Sequence, residues 1–269
     1  MKKTTTIFAC LILALALALP AAGSSNKKPA AKKKVSPAAA RARQQKAKPM
    51  KFFVRAGYAM GLTETSKDQS WTEPLYGENI TYALASKAGK SSNIDLGIGY
   101  NLSRSMSVGL GAIILAGDLN AGLDVGVPHP YVFNAPRTAT GSYASDMKAT
   151  ILYLNFIYRF SVSKFTVDLF AGPAYFNASA DILSAVTIQD VFPNAAVTMS
   201  LATENVKKSS FGFNAGAGAS YFFAGNLGVF VEARYLSGNT SFASSAGVIP
   251  AITLPVGGVS AGGGLLFRF

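Results

Sequence analysis

Val256-Gly-Gly-Val-Ser-Ala-Gly-Gly-Gly-Leu-Leu-Phe-Arg-Phe269, at the C-terminal end of the chain, decides how the rest is read. In an extended strand successive side chains point to opposite faces. Val259, Ala261, Gly263, Leu265, Phe267 and Phe269 then share one face, and Gly258, Ser260, Gly262, Gly264, Leu266 and Arg268 share the other. The first face is apolar; the second is small and ends in a charge. In a water-soluble core a chain end is frayed and wet, which leaves a terminal Phe nothing to bury against. The pattern suits a closing strand whose outer face meets hydrocarbon.

The same period recurs upstream. Phe52, Val54, Ala56, Tyr58, Met60 and Leu62 alternate with Phe53, Arg55, Gly57, Ala59 and Gly61, a run of the roughly 9 to 11 residues that a membrane strand needs. Ile94 to Leu102 and Val108 to Ile114, joined by Ser103-Arg104-Ser105, read as a tight hairpin. Further strands are expected from about Lys148 to Phe160, Phe165 to Tyr175, Phe211 to Tyr221 and Leu227 to Tyr235, with short turns at Ser161 to Lys164 and Ala224-Gly225-Asn226. Ile151, Tyr153 and Ile157 blur the alternation of their strand by standing on its inner face. Pro173 cannot donate to a ladder, which places it near a strand's outer end or at a bulge. Thr63 to Ser92, Ala116 to Asp146, Asn177 to Lys208 and Ser237 to Pro255 read as long connections. Within the third, Val186 to Asp190 and Ala196 to Leu201 flank Phe192-Pro193-Asn194 as either a hairpin that extends the sheet or an added membrane pair, and the extension is favoured because neither half is long enough to cross a membrane.

Connections therefore alternate long and short, and about eight strands result. A soluble β-sandwich or lipocalin-like barrel would also alternate, but it would place the large residues inside, whereas the inner face here is mostly Gly, Ser, Asn and charge. The terminal strand and the alternating layout resemble the small outer-membrane barrels of the OmpA/OmpX type over residues 52–269. That resemblance implies an all-β, closed antiparallel transmembrane β-barrel with long external loops, short periplasmic turns and both termini periplasmic. It also implies contact with outer-membrane lipid, and an assembly signal, Leu265, Phe267 and Phe269, read by the barrel-assembly machinery.

The first fifty residues differ in kind. Lys2 and Lys3, the apolar run Ile7 to Leu19 and the small residues Pro20 to Ser24 predict a cleaved export signal over 1–23. The apolar run is shorter than the roughly 18 to 20 residues of a membrane helix. Cys10, the single cysteine, lies inside that segment. Residues 24–51 are expected to be a disordered basic periplasmic extension, because Lys27, Lys28, Lys32, Lys33, Lys34, Arg41, Arg43, Lys46 and Lys48 are interleaved with Ala, Pro, Ser and Gln and offer no apolar area to offset ordering entropy. Of 25 Lys and Arg residues, twelve precede Phe52, leaving 13 against 13 Asp and Glu. The tract resembles a nucleic-acid tail in composition, but export argues against nucleic acid, which leaves a solvated spacer or a tether to cell-wall or lipid anions.

Chemistry is sparse. His129 is the only histidine and stands between Pro128 and Pro130, with no Ser and acid at a recognisable spacing. Asp118, Asn120, Gly122 and Asp124 hint at a calcium loop but lack its distal Glu. No catalytic residue, cofactor or metal is assigned. Tyr58, Tyr100, Tyr158, Tyr175, Tyr221, Tyr235 and Phe269 fall at strand ends on the apolar face and predict two interfacial girdles. Arg55, Asp95, Arg159, Asp168, Glu232, Arg234 and Arg268 are expected to face the lumen as a charge network, which in an eight-strand barrel must pair internally or hold water. The functional expectation is a non-enzymatic structural or adhesive barrel acting through its outward loops on an unidentified external ligand. A narrow pore for ions or small solutes is the alternative, and a lipid-modifying enzyme the third reading.

Overall fold

The computed structural model describes residues 50–162, 164–244 and 249–269. The expected signal at 1–23 and all nine tether residues from Lys27 to Lys48 lie outside the described residues. The described chain is β1 (Phe52–Gly61), β2 (Thr65–Leu75), β3 (Glu78–Asn101), β4 (Met106–Val127), β5 (Arg137–Val162), β6 (Phe165–Val191), β7 (Ala196–Phe222), β8 (Leu227–Phe242) and β9 (Ile252–Arg268). Neighbours are antiparallel throughout.

Closure comes from β1, which pairs with β9 from Phe53↔Arg268 to Gly61↔Ser260 and with β3 from Phe52↔Tyr100 to Met60↔Ser92. The backbone N–H and C=O of Phe52 and Phe269 exchange two hydrogen bonds of 3.0 Å, and their rings stack at 5.8 Å. The terminal Phe thus fixes the first rung of the closing seam. A ring of eight strand positions results, with β2 as an addition: it pairs with β3 only from Thr65↔Ala88 to Leu75↔Glu78, so β1 and β2 share one position at different heights. Consecutive glycines at 257 and 258, with φ of 122° and 112°, let β9 bend at the height where β1 gives way to β2.

The four stretches read as long connections are largely strand. Each continues its ladder well past the apolar belt, and the remaining links are short: a two-residue turn at Tyr76-Gly77, both with positive φ, then 128–136, 192–195 and 243–251. The β6–β7 ladder runs without a break in pairing direction to Val191↔Ala196, so residues 185–201 extend a hairpin. Pro173 sits where the β5–β6 ladder lapses between Tyr153↔Ala174 and Phe156↔Ala171, consistent with its missing donor.

Two bands follow along the strands. Near the short turns the outer face is apolar: on β4, Met106, Leu110 and Ile114 are exposed while Ser107 and Gly109 point inward. Tyr100, Tyr158, Tyr221 and Phe269 ring the turn end of this belt, and Tyr58, Tyr175 and Tyr235 its other end. Beyond it the sense reverses. Leu119, Ala121, Leu123, Val125 and Val127 point inward and are buried, while Asp118, Asn120 and Asp124 point outward. The expectation of a mostly small, polar inner face holds along the belt and is corrected beyond it, because the expected strands stopped where the inner residues become large.

Candidate functional site: the filled lumen and the hairpin tips

Inside the belt, charged side chains from β1, β3, β5, β6 and β8 meet across the lumen. Arg159 donates from Nε and Nη2 to both oxygens of Asp168, at 2.7 and 3.0 Å, and from Nη1 to Asn101 Oδ1 at 2.8 Å. This planar fork is the bidentate geometry that arginine provides and lysine does not. One level further in, Arg55 and Arg234 each bond both Asp95 and Glu232, forming a closed ring of two cations and two anions. Tyr153 donates its hydroxyl to the free oxygen of Asp95 at 2.7 Å. Guanidinium planes lie over rings: Arg55 over Phe230 and Arg234 over Tyr153, both at 4.5 Å, and Arg268 over Phe222 at 3.6 Å. Glycines make room, since a Cβ at Gly99 would stand 2.1 Å from the Phe53 ring and one at Gly111 2.3 Å from the Tyr153 hydroxyl.

Glu232 is shared by two guanidinium groups, whereas Asp168 is held by one. Asp168 serves Arg159, and it is Asp95 that Arg55 and Arg234 share with Glu232. Four arginines face three acids, and Arg268 is the one without an ion-pair partner among the described residues; it rests on Phe222 instead. Sequence reasoning missed Asn101, Tyr153, Phe53, Phe170 and Phe230 as members of this assembly. Tyr153 had announced itself as a break in alternation. Between the two charged levels lies a cavity of about 30 Å³ lined by Arg55, Arg159, Asp168, Ser220 and Glu232, room for about one water.

Above the charges the lumen holds a dry core that includes Leu84, Ile113, Leu123, Ile151, Phe176, Ile182, Leu236, Phe242 and Leu254. Trp71 and Tyr82 stack at 4.8 Å on its flank. Burial, and then the charge of Glu73, push the Tyr82 hydroxyl up to about 12, so it is a donor at every physiological pH.

At the far end the tips are tied together. Buried Arg137 reaches Asp190 and the carbonyls of Pro128 and Asn194, at 2.8 and 3.0 Å for the carbonyls. Tyr76 donates to Asp190 at 2.9 Å, and the Asn134 amide donates to Glu78 at 2.8 Å. Hydrogen bonds from Arg137 first, then Tyr76, hold the Asp190 carboxyl below its ordinary range. On this scaffold Tyr131, Phe133 and Phe192 are 80%, 71% and 89% exposed. His129 is absorbed locally: its Nδ1 accepts the Tyr131 amide at 3.1 Å. Asp118, Asn120, Gly122 and Asp124 occupy alternate rungs of one straight strand, about 20 Å from first to last, and cannot wrap a single ion. Among the described residues no group of three metal-ligating side chains comes together.

An eight-position closed antiparallel barrel with an apolar outer belt, aromatic edges and a charged interior is the architecture of a protein that crosses a membrane with strands. Residues 7–249 match the family described as "Outer membrane protein beta-barrel domain". The chain belongs to that family and so to the bacterial outer membrane. No curated protein matches. Among solved structures, the outer membrane protein OprG from Pseudomonas aeruginosa is 15% identical, with a TM-score of 0.48 over 81% of this chain and 95% of that one. Neisserial surface protein A is 14% identical, with a TM-score of 0.44 over 81% and 97%. The outer membrane protease OmpT from Escherichia coli is 12% identical, with a TM-score of 0.40 over 81% and 97%.

Proposed function

We propose that this protein is a non-enzymatic, non-conducting barrel that displays a rigid surface outside the cell and has a structural or adhesive role. The observation that carries the reading is the filling of the lumen: ion-paired arginines and acids at the turn end, then a dry apolar core. A path for ions needs continuous wet space, and the apolar section excludes hydrated ions at a desolvation cost of several kcal/mol each. The charge ring acts as a plug, and the hairpins beyond the belt form a stalk whose tied tips present Tyr131, Phe133 and Phe192. In this reading the short turns and both termini are periplasmic, the hairpins external. Residues 24–51 are an inward basic tether to cell-wall or lipid anions, and the last strand, through Leu265, Phe267 and Phe269, is what the assembly machinery engages.

Two measurements test this. In planar bilayers the purified protein is expected to give no steady single-channel conductance; a large, stable one moves the pore reading ahead. Binding of expressing cells to host cells or matrix is expected to fall in Tyr131→Ser/Phe192→Ser, with surface expression unchanged. Equal binding removes the tips from the account. For the tether, deletion of Lys27 to Lys48 is expected to leave a folded barrel that co-sediments less with cell wall at low salt.

A further inference from the structure

The three links at the far end of the hairpins, 76–77, 128–136 and 192–195, contain no Lys, Arg, Asp or Glu. The short turns at the other end do carry charge, with Arg104 and Lys164. Around these links Tyr76, Tyr131, Val132, Phe133, Val191 and Phe192 are between 42% and 89% exposed, an apolar patch on the part of the molecule furthest from the belt. The protein's own bilayer does not account for it. From Ile114 to Val127, at about 3.3 Å per residue and a tilt of about 40°, the tips stand roughly 30 Å beyond the belt.

The patch is braced, and the polar groups beneath it are already engaged. Phe133 lies over the β2–β3 turn, where a Cβ at Gly77 would touch its ring at 3.8 Å, and the bonds of Arg137 and Tyr76 to Asp190 and of the Asn134 amide to Glu78 tie the three tips to one another. Arg137, Asp190 and Glu78 therefore enter no new medium unpaired. Pro128, Pro130, Pro136 and Pro193 have no N–H, and the amides of Tyr131, Asn134 and Asn194 donate within the tips. Fewer backbone donors must then leave water when the tips enter an apolar medium, which is the condition irregular backbone has to meet there. A protein interface surrounds its apolar centre with a polar rim that fixes register. These links offer no charge for such a rim, so the patch selects an apolar surface without fixed geometry.

We propose that the tied tips insert into the interfacial layer of a second lipid bilayer, one facing the cell, with Tyr131, Phe133 and Phe192 as the anchoring rings. The inference rests on the adhesive reading with outward hairpins and names the surface those tips engage. Purified protein in nanodiscs is mixed with protein-free phosphatidylcholine vesicles, and the bound fraction is measured by flotation. Wild type is expected to float with the vesicles equally at about 0.1 and 1 M salt, and equally with or without added phosphatidylserine, because no charge drives the contact. Phe133→Ser/Phe192→Ser is expected to lose about a hundredfold in partitioning, roughly tenfold for each ring. Phe133→Trp/Phe192→Trp is expected to partition at least as tightly as wild type, since an interface accepts any amphipathic ring and a pocket shaped to Phe does not. Heat-modifiable migration on gels confirms that each variant is folded. Absence of wild-type flotation overturns the proposal, as does a need for anionic lipid, loss of binding at high salt, or equal partitioning of the Ser variant. If the Ser variant loses binding to cells while wild type ignores the vesicles, the tips recognise a protein or a glycan: the adhesive reading then stands and the lipid inference falls.

Discussion

β4 can be compared with itself. From Met106 to Ala112 its large residues point out and Ser107, Gly109 and Gly111 point in; Ile113 and Leu115 begin the buried inner row, and from Leu119 to Val127 the large residues point in while Asp118, Asn120, Gly122 and Asp124 face out. The strand keeps its pairing to β5 rung by rung across the change, Ile114↔Thr150 leading to Leu119↔Ser145 and on to Val127↔Arg137. On this edge no lapse in pairing marks the boundary, although on the other edge the β3–β4 ladder shifts register between Ala88 and Ser91 at the same height. What changes is the solvent outside: hydrocarbon along the first part rewards apolar outer residues, and water along the second rewards a dry interior. One continuous sheet is thus a closed membrane barrel at one end and, beyond β1, a sheet curled around a dry apolar core at the other.

The harshest way to break the comparison is to open the belt. Deleting Phe267 to Phe269 removes the Phe52–Phe269 hydrogen-bond pair and the rungs beside it, leaving backbone groups unpaired in hydrocarbon at several kcal/mol each. Outer-membrane assembly is expected to be abolished, read as loss of the heat-modifiable folded form.

Charge scanning along β4 sharpens the boundary. Leu123→Lys places an unpaired amine in the dry core and is expected to cost about 4 kcal/mol or more. Leu110→Lys, on the lipid face, is expected to cost about 2 to 4 kcal/mol. Asn120→Lys, only three residues from Leu123 but facing water, is expected to stay within about 0.5 kcal/mol. Urea titration of protein folded in lipid vesicles measures all three, and a large cost at Asn120 breaks the account.

Within the belt, Glu232→Gln leaves Arg55 and Arg234 facing each other across Asp95. Loss of one partner of a buried pair costs about 3 to 5 kcal/mol, and the adjoining water-sized cavity favours the low end. Conductance is expected to stay low, because the apolar section beyond is untouched.

The smallest effect is at the tips. Because Asp190 is depressed in the folded state, its contribution is present above the ordinary carboxylate range and is lost as pH falls through its folded value. Acid, or Asp190→Asn at neutral pH, is expected to loosen the Arg137 and Tyr76 contacts while the belt stays folded, at a cost of about 1 kcal/mol or less for so exposed a carboxylate. Faster amide exchange at Asn134 and Asn194, with Gly97 and Gly111 unchanged, is the readout.

The belt was legible because its signal is unusual: Phe52 to Leu62 and Leu265 to Phe269 place large apolar residues on the face opposite small or charged ones. The outer section was not, although Leu119, Ala121, Leu123, Val125 and Val127 have perfect period two. A half-buried strand with Asp and Asn on its other face looks like polar connection once a strand is expected to end after 9 to 11 residues. The same expectation made Ile151, Tyr153 and Ile157 an irregularity, when Tyr153 and Ile151 mark where the lumen turns from charged to apolar and Ile157 packs with Phe53 and Phe170 among the charges. Charge identity was legible from alternation and pairing was not, since Arg55, Asp95, Glu232 and Arg234 meet only through barrel closure between β1, β3 and β8.

A nitroxide scan along β4, from Met106 to Val127 in lipid vesicles, tests the polarity reversal most directly. Accessibility to oxygen, which concentrates in lipid, is expected to be high at Leu110 and Ile114. Accessibility to a water-soluble nickel chelate is expected to be high at Asn120 and Asp124, and both are expected to be low at Ile113 and Leu123. Nickel access at Leu123 equal to that at Asn120 would mean a wet lumen, and oxygen access at Asn120 equal to that at Leu110 would mean hydrocarbon along the whole strand; either contradicts the account.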